Sequence, residues 1–220
     1  MQNTPSGLAA LDVPTPPPLE SPSALVHYTL ESPWALGALL VLAAAVAFSI
    51  ASKRENRRPF VLAGCQFLTL AVALVIVASV ITTPREAIIR ATRALVGAVA
   101  TADAAALDTA LDEQCTLYYF QAPDGLGRAG IMTAVAASFS PGAAYRVGDW
   151  HLEAVQARAT SPTTGQAQVK VFVRPEQWSF PHRSWWRIDF RKDMDASPPV
   201  WRATAIMPLE IQGVENARGR

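Results

Sequence analysis

Charged residues are missing from two long stretches of this chain of 220 residues. None occurs from Pro33 to Ser52, and none occurs from Pro59 to Pro84. A helix of about 20 residues crosses the ~30 Å hydrocarbon core of a bilayer, whereas a soluble helix of that length ordinarily carries a polar face. We therefore predict two transmembrane helices, over residues 33–52 and 59–82, with the lipid bilayer as their partner.

Lysine and arginine are missing from residues 1–32. A cleaved secretion signal has a basic N-terminal region, so this segment is not expected to be one. The segment is rich in proline and small polar residues, as in Pro14-Thr-Pro-Pro-Pro18, and a segment of that composition cannot bury a core. We predict a disordered, proline-rich tail over residues 1–32, partly in the polyproline II conformation.

Cysteine and histidine are scarce, with two and three residues respectively. Cys65 lies in the second apolar stretch and Cys115 in the C-terminal part, so no disulfide framework is predicted. The spacing of His27, His151 and His182 does not match a metal site, and we predict no metal and no cofactor. The formal net charge of +1 argues against nucleic acid as a partner.

The loop between the two apolar stretches is basic. Lys53-Arg-Glu-Asn-Arg-Arg58 has four basic residues out of six, and short basic loops stay on the cytoplasmic side of a membrane. We predict a bacterial inner-membrane protein with a cytoplasmic loop over residues 53–58 and a periplasmic C-terminal domain. Arg85, Arg90 and Arg93 follow the second span and put positive charge on the far side as well.

The rest of the chain has the pattern of an α+β domain. Thr83-Pro-Arg-Glu86 has the residues of a capped helix start, Asp103 is expected to cap a second helix, and residues 128–139 form a third. Short turns join the later strands, which implies an antiparallel sheet with the helices on one face. The predicted strands are residues 115–120, 145–160, 166–174, 184–192 and 200–212, and Asp124–Gly127 is predicted as a loop.

This order of elements resembles the nuclear transport factor 2-like superfamily, which includes the SnoaL-like and ketosteroid-isomerase-like domains. The resemblance is carried by Ala102-Asp-Ala-Ala-Ala-Leu107, Thr116-Leu-Tyr-Tyr-Phe120 and Gly127-Arg-Ala-Gly-Ile131, and it covers residues 84–213, followed by a tail over residues 214–220. It implies a cone of three helices on a curved antiparallel sheet, with a cavity at the wide end. The superfamily contains enzymes, ligand binders and assembly domains, so the fold alone does not choose a function.

The resemblance places uncharged residues where the ketosteroid-isomerase-like enzymes have their catalytic groups. Their general-base carboxylate on the first strand corresponds to Tyr119, and a phenol cannot replace a carboxylate base at neutral pH. Their tyrosine on the first helix corresponds to Leu95, which cannot donate a hydrogen bond. We therefore predict no catalytic residue, and we expect Tyr119, Leu95 and Trp186 to line the cavity.

Tryptophan and arginine are concentrated in the strand predicted over residues 184–192. Alternation places Trp186 on the core side and Trp185, Arg187 and Arg191 on the opposite side. The second set has two interpretations: it forms ion pairs across the strands, or it is a protein interface, because Trp and Arg anchor interfaces.

Two functional hypotheses follow. The first is a membrane-anchored, non-catalytic extracytoplasmic domain that binds a partner protein of a membrane complex, a second copy of itself or a small apolar ligand. The alternative is a SnoaL-like enzyme of the isomerase, lyase or hydrolase type, acting on a small hydrophobic substrate in the cone. Its acid or base would come from His151, Glu153 or Asp189. The face of the sheet that these residues occupy therefore distinguishes the hypotheses.

Overall fold

A computed structural model describes residues 15–19, 33–80, 82–119, 122–177 and 180–212 of the chain. These residues belong to two compact units. One unit contains the two apolar helices, and the other contains the described residues from Pro84 onward together with residues 15–19. The predicted tail over residues 214–220, and the predicted tail over residues 1–32 apart from residues 15–19, lie outside the described residues.

The helical unit is a pair of long apolar helices, α1 (Pro33–Lys53) and α2 (Arg58–Val80). Both are long and apolar enough to cross a membrane. The helices pack against each other through small residues: Ala44, Ala47, Ala51 and Ala71 are buried. Small side chains allow two helix backbones to approach closely, as in membrane helix pairs. The large apolar side chains of this unit, such as Leu39 and Leu62, are exposed.

In its described residues, the C-terminal unit is an α+β domain of three helices and six strands. Its helices begin and end near the predicted positions, and Asp103 caps the second helix by accepting a hydrogen bond from the Ala106 backbone N–H at 3.0 Å. The elements are α3 (Pro84–Ala100), α4 (Ala104–Ala110), β1 (Leu111–Tyr119), β2 (Ala122–Gly127), α5 (Arg128–Phe139), β3 (Val147–Ala159), β4 (Thr164–Pro175), β5 (His182–Asp193) and β6 (Val200–Ile211).

The six strands form one curved, mixed sheet in the order β2-β1-β6-β5-β4-β3. The strand pairs are antiparallel except β1 and β6, which run parallel. The prediction of a purely antiparallel sheet therefore needs correction at this pair. The parallel pair arises because the antiparallel strands β3 to β6 end with β6 beside β1, the first strand of the domain.

The segment predicted as a loop at Asp124–Gly127 lies in strand β2. The pairing shifts between Leu117 and Tyr119 of β1, so extra residues of β2 bulge out of the ladder. Gly125 lies in this bulge with a φ of +75°, and a Cβ there would lie 2.4 Å from the Thr116 Cγ2 atom. Glycine is required at such a position. The glycine-rich sequence belongs to a bulge in the β1–β2 hairpin. Glycine is favoured in such bulges as it is in loops, so the sequence alone does not distinguish the two.

The core lies between the three helices and the inner face of the sheet. Buried residues of α3, α4 and α5 pack there against buried residues of the strands, including Ile88, Leu95, Leu107, Val169 and Ile188. Helix α3 approaches the sheet closely at Gly165 of β4. A Cβ atom at this glycine would lie 2.3 Å from the Ile88 Cδ1 atom and 3.0 Å from the Arg158 carbonyl oxygen.

We predict that Gly165→Ala lowers the free energy of unfolding by about 1–3 kcal/mol through overpacking. Ile88→Val removes the Cδ1 atom that causes most of the clash, and alone it costs about 0.5–1.5 kcal/mol. The double variant should therefore lose less than the sum of the two single losses. The measurement is a double-mutant cycle of urea unfolding; additive losses would contradict the close approach.

Candidate functional site

The principal candidate site is a cavity of about 330 Å³ between helices α3 and α5 and the inner face of the sheet. Its volume lies at the lower end of the range of about 300–1,000 Å³ that is usual for small-molecule sites. The long helix α3 provides one wall, α5 the second, and strands from both halves of the sheet the third. Residues that define these walls include Leu95, Val99, Ile131, Val135, Val171, Trp186 and Ile206.

The cavity wall is almost entirely aliphatic or aromatic. None of the lining side chains that the structure describes is ionisable, and its side-chain hydroxyl groups come from Ser138 and Ser184. The Ser184 Oγ atom accepts a hydrogen bond of 2.7 Å from the Trp186 indole N–H. A ligand in this cavity would therefore be held by burial of apolar surface, with serine and indole groups as its polar partners.

Two of the three residues expected in the cavity are in its wall. Leu95 of α3 and Trp186 of β5 line it. Tyr119, at the end of β1, is half-buried and is not among the lining residues, whereas Leu117 is. The β1–β2 pairing becomes irregular between these two positions. Counting residues from Asp103 therefore does not predict correctly which face Tyr119 occupies.

Trp150 lines the cavity from β3 as well, although it was not among the residues expected there. Its indole lies against helix α3: a Cβ atom at Gly97 would be 3.4 Å from the Trp150 Cη2 atom. The alternation of Trp150 with Leu152 on one face of the predicted strand would have identified it.

The acid and base candidates of the enzyme hypothesis do not line this cavity: their partners are on the outer face of the sheet, and His151 and Glu153 also border a separate, open groove with Ile89 and Arg93 of α3. Glu153 pairs with Lys170 at 3.1 Å and with Arg183 at 2.8 Å. His151 stacks on the Phe172 ring with 4.4 Å between ring centroids.

The third candidate, Asp189, accepts hydrogen bonds from Arg187 at 3.1 and 3.2 Å and from the Gln166 amide at 2.9 Å. Gln166 and Asp189 are paired positions of β4 and β5, so this carboxylate also belongs to the outer face. The structure therefore does not bring His151, Glu153 and Asp189 to the cavity.

Among the described ionisable groups, the two with a shifted pKa, Glu153 and Cys115, do not supply a base or a nucleophile at the cavity. Burial raises the pKa of the Glu153 carboxyl, but hydrogen bonds and charge from Arg183 and Lys170 outweigh that effect and lower its pKa below the ordinary value. Burial, reinforced by the charge of Asp112 and opposed by Arg128, raises the pKa of the Cys115 thiol to about 12. This thiol is protonated near neutral pH and is therefore a poor nucleophile.

Metal ligands are not clustered in the described part of the chain: no group of three or more His, Cys, Asp or Glu side chains is close enough to hold an ion. Cys65 and Cys115 are both free, and they belong to different units.

The tryptophan and arginine residues of β5 are placed differently from one another. Trp185 is 2 % exposed, so it does not lie on the accessible surface, as an interface residue would. The alternation of the strand was predicted correctly, but the outer face is covered at this point. Arg187 is paired with Asp189, and the Arg191 Nη2 atom donates to both carboxylate oxygens of Asp112 at 3.0 and 2.8 Å.

The two arginines offer a matched pair for a stability measurement. The Asp112 side chain is 7 % exposed, whereas that of Asp189 is 28 % exposed. We predict that Arg191→Ala lowers the free energy of unfolding by about 1–3 kcal/mol, because it leaves a buried carboxylate without its cation. Arg187→Ala should cost less than about 1 kcal/mol, as is usual for exposed pairs. Equal losses in urea unfolding would contradict this assignment.

The order of the elements, the order of the strands and the cavity together define a cone-shaped α+β domain with the nuclear transport factor 2-like fold. The fold implied by the resemblance is thereby confirmed. Neither a family model nor a curated protein matches the sequence.

Several solved structures are similar to the C-terminal domain. One is a nuclear transport factor 2-like protein of unknown function in nutrient uptake from Rhodospirillum rubrum, with 15% identity, 55% of this chain and 95% of that chain covered, and a TM-score of 0.45. Another is a putative scytalone dehydratase from Novosphingobium aromaticivorans, with 16% identity, 61% and 92% coverage, and a TM-score of 0.44. A third is the CaMKII hub of S. rosetta, with 17% identity, 60% and 99% coverage, and a TM-score of 0.47.

Proposed function

We propose that this protein is a membrane-anchored, non-catalytic binding domain that holds a small apolar ligand in the cavity between α3, α5 and the sheet. The observation that carries the proposal is the chemistry of the wall: a space of about 330 Å³ lined by aliphatic and aromatic side chains, with serine hydroxyls and no described ionisable group. Burial of a ligand in such a wall is favourable by about 25 cal/mol per Å² of apolar area.

The placement of His151, Glu153 and Asp189 supports binding rather than catalysis. A general acid or base acts from within hydrogen-bonding reach of its substrate, and these three side chains are on the other face of the sheet, engaged with Phe172, Lys170, Arg183 and Arg187. An enzyme acting in this cavity would have to use serine or indole groups alone.

The binding experiment uses the full chain in lipid nanodiscs, with ¹³C-labelled isoleucine δ1 methyl groups and naphthalene as the probe. The Ile131, Ile188 and Ile206 methyls lie in the cavity wall and are expected to shift saturably as naphthalene is added. Ile50 and Ile76 in the apolar helices report on naphthalene dissolved in lipid, and their shifts should not saturate. Shifts that fail to saturate at the cavity methyls would refute the proposal.

The membrane anchor is formed, in this proposal, by α1 and α2, with the C-terminal domain in the periplasm of a bacterial cell. The two helices have the length and apolarity to span, and the loop from Lys53 to Arg58 between them is basic. Because the number of spans is even, the N-terminal tail is on the same side as the domain.

We predict that a reporter active only in the periplasm, fused after Gln212, is active in the wild-type chain. Neutralising Lys53, Arg54, Arg57 and Arg58 leaves Arg85, Arg90 and Arg93 as the dominant basic group, so reporter activity should fall. Neutralising Arg90 and Arg93 instead is the matched control and should preserve it. Activity of a cytoplasm-only reporter at Gln212 in the wild-type chain would show that the proposed topology is inverted.

A further inference from the structure

The outer face of the sheet has two buried aromatic residues that the core does not explain. Trp185 is 2 % exposed and Phe172 is 6 % exposed, yet neither belongs to the core cluster, which contains buried residues of all three helices of the domain. The helices cover the inner face. The Phe172 ring is covered by its neighbours on the outer face: His151 stacks on it, and the guanidinium groups of Arg174 and Arg183 lie 5.9 and 5.2 Å from its centroid. Trp185 needs a cover on that face as well.

A segment of the proline-rich tail lies on this face. The Leu19 backbone N–H donates a hydrogen bond of 3.2 Å to the Oε1 atom of Gln156 in strand β3. Gln156 pairs with Gln168 of β4, and Gln168 pairs with Arg187 of β5, two residues from Trp185. The hydrogen bond to Gln156 therefore holds the segment on the outer face of β3, β4 and β5, which is also the face that contains Trp185.

The burial within the segment is selective. Pro16 is buried, whereas its neighbours Thr15, Pro17 and Pro18 are exposed. A solvated tail would expose the four residues alike. One buried proline among exposed ones is the pattern of an extended segment that inserts a single ring into a surface, as polyproline II ligands do in aromatic-lined grooves.

Two polar atoms of this face remain unpaired with the segment in place. The Trp185 indole N–H is buried and has no hydrogen-bond partner in the described structure, and the same holds for the Gln168 Oε1 atom. Polyproline segments expose backbone carbonyl groups and no N–H groups at proline. The Gln168 Oε1 atom is an acceptor and has no partner at a proline, and the Trp185 N–H stays unpaired beside the segment. The segment is therefore held by the burial of Pro16 and by the hydrogen bond from Leu19 to Gln156.

We propose that the outer face around Trp185 and Gln156 is a recognition site for an extended proline-rich peptide, filled here by the chain's own Thr15–Leu19 segment. The site recognises a proline ring through buried aromatic surface and fixes the end of the peptide through Gln156. It is distinct from the apolar cavity, since the two lie on opposite faces of the sheet. The chain segments that flank the helix pair, the tail before α1 and the domain after α2, would thereby be joined to each other.

The test uses the full chain in lipid nanodiscs with the photoreactive residue p-benzoylphenylalanine in place of Leu19. Irradiation is expected to cross-link this position to the fragment of β3 that contains Gln156. Pro16→Asp places a charge at the buried ring and should lower the cross-linking yield at least about tenfold, because a buried unpaired charge is costly. Pro18→Asp makes the same change at an exposed position of the same segment and should leave the yield within about twofold, since an exposed charge carries no such cost.

A second measurement is independent of the folding of any variant. A synthetic peptide of residues 14–19, added in excess to the wild-type photoreactive chain, should lower the yield at millimolar concentrations, which match the effective concentration of a tethered segment. A peptide with its prolines replaced by alanine should not. The proposal is overturned if the cross-links miss β3, β4 and β5, if both aspartate variants lower the yield equally, or if the two peptides compete equally.

Discussion

Replacing Ala134 by tryptophan is expected to abolish the saturable binding of naphthalene. Ala134 lies in helix α5 in the cavity wall, and an indole at this position would occupy the space that the ligand needs. The affinity should fall at least tenfold, which corresponds to about 1.4 kcal/mol or more. The measurement is the same titration of the Ile131, Ile188 and Ile206 methyl groups that tests binding in the wild-type chain.

The matched control for this variant is Ala136→Trp. Ala136 lies in the same helix but is exposed, so the same side chain is added without filling the cavity. The control should bind naphthalene as the wild type does. Equal binding by the two tryptophan variants would place the ligand outside the cavity.

The Trp185→Ala variant is expected to have the largest loss of stability among the substitutions considered. The side chain is 2 % exposed, and truncation of a buried tryptophan typically costs about 3–5 kcal/mol. Trp186→Ala should cost less, because Trp186 is half-buried and borders a cavity rather than a packed wall. The comparison uses urea unfolding followed by near-ultraviolet circular dichroism. A larger loss for Trp186 than for Trp185 would mean that the outer face is not covered in solution.

The strands and helices of the domain were largely predictable from local pattern. Asp103 caps its helix as predicted, and residues 128–139 form a helix with the predicted bounds. Alternation placed Trp186 on the inner face, where it lines the cavity. These features depend on residues close together in the chain, and local signals of capping and alternation carry them.

Features that depend on distant parts of the chain were not predictable in the same way. The parallel pairing of β1 with β6 joins strands separated by most of the domain, and no turn signal specifies it. The bulge at Gly125 has the sequence of a loop. The burial of Trp185 depends on what covers the outer face, and alternation decides only which face a residue occupies.

The cavity residues, too, were predictable where the local pattern is regular and not where it is interrupted. Leu95 was identified through the resemblance and lies in the cavity wall. The β1 residue that lines the cavity is Leu117 rather than Tyr119. A position counted along a strand holds only while the ladder is regular, and the β1–β2 pairing shifts between these two residues. An irregularity of this kind moves a side chain between faces without a strong sequence signal.

The central claim, that the cavity holds a small apolar ligand, is tested most directly by what the protein carries from the cell. The full chain and its Ala134→Trp and Ala136→Trp variants are purified in parallel from membranes, extracted with organic solvent and analysed by mass spectrometry. We predict an apolar compound in near-equimolar amount with the wild-type chain and the Ala136→Trp control, and its loss from Ala134→Trp. The same extracted compounds in the same amounts from all three proteins would contradict the claim.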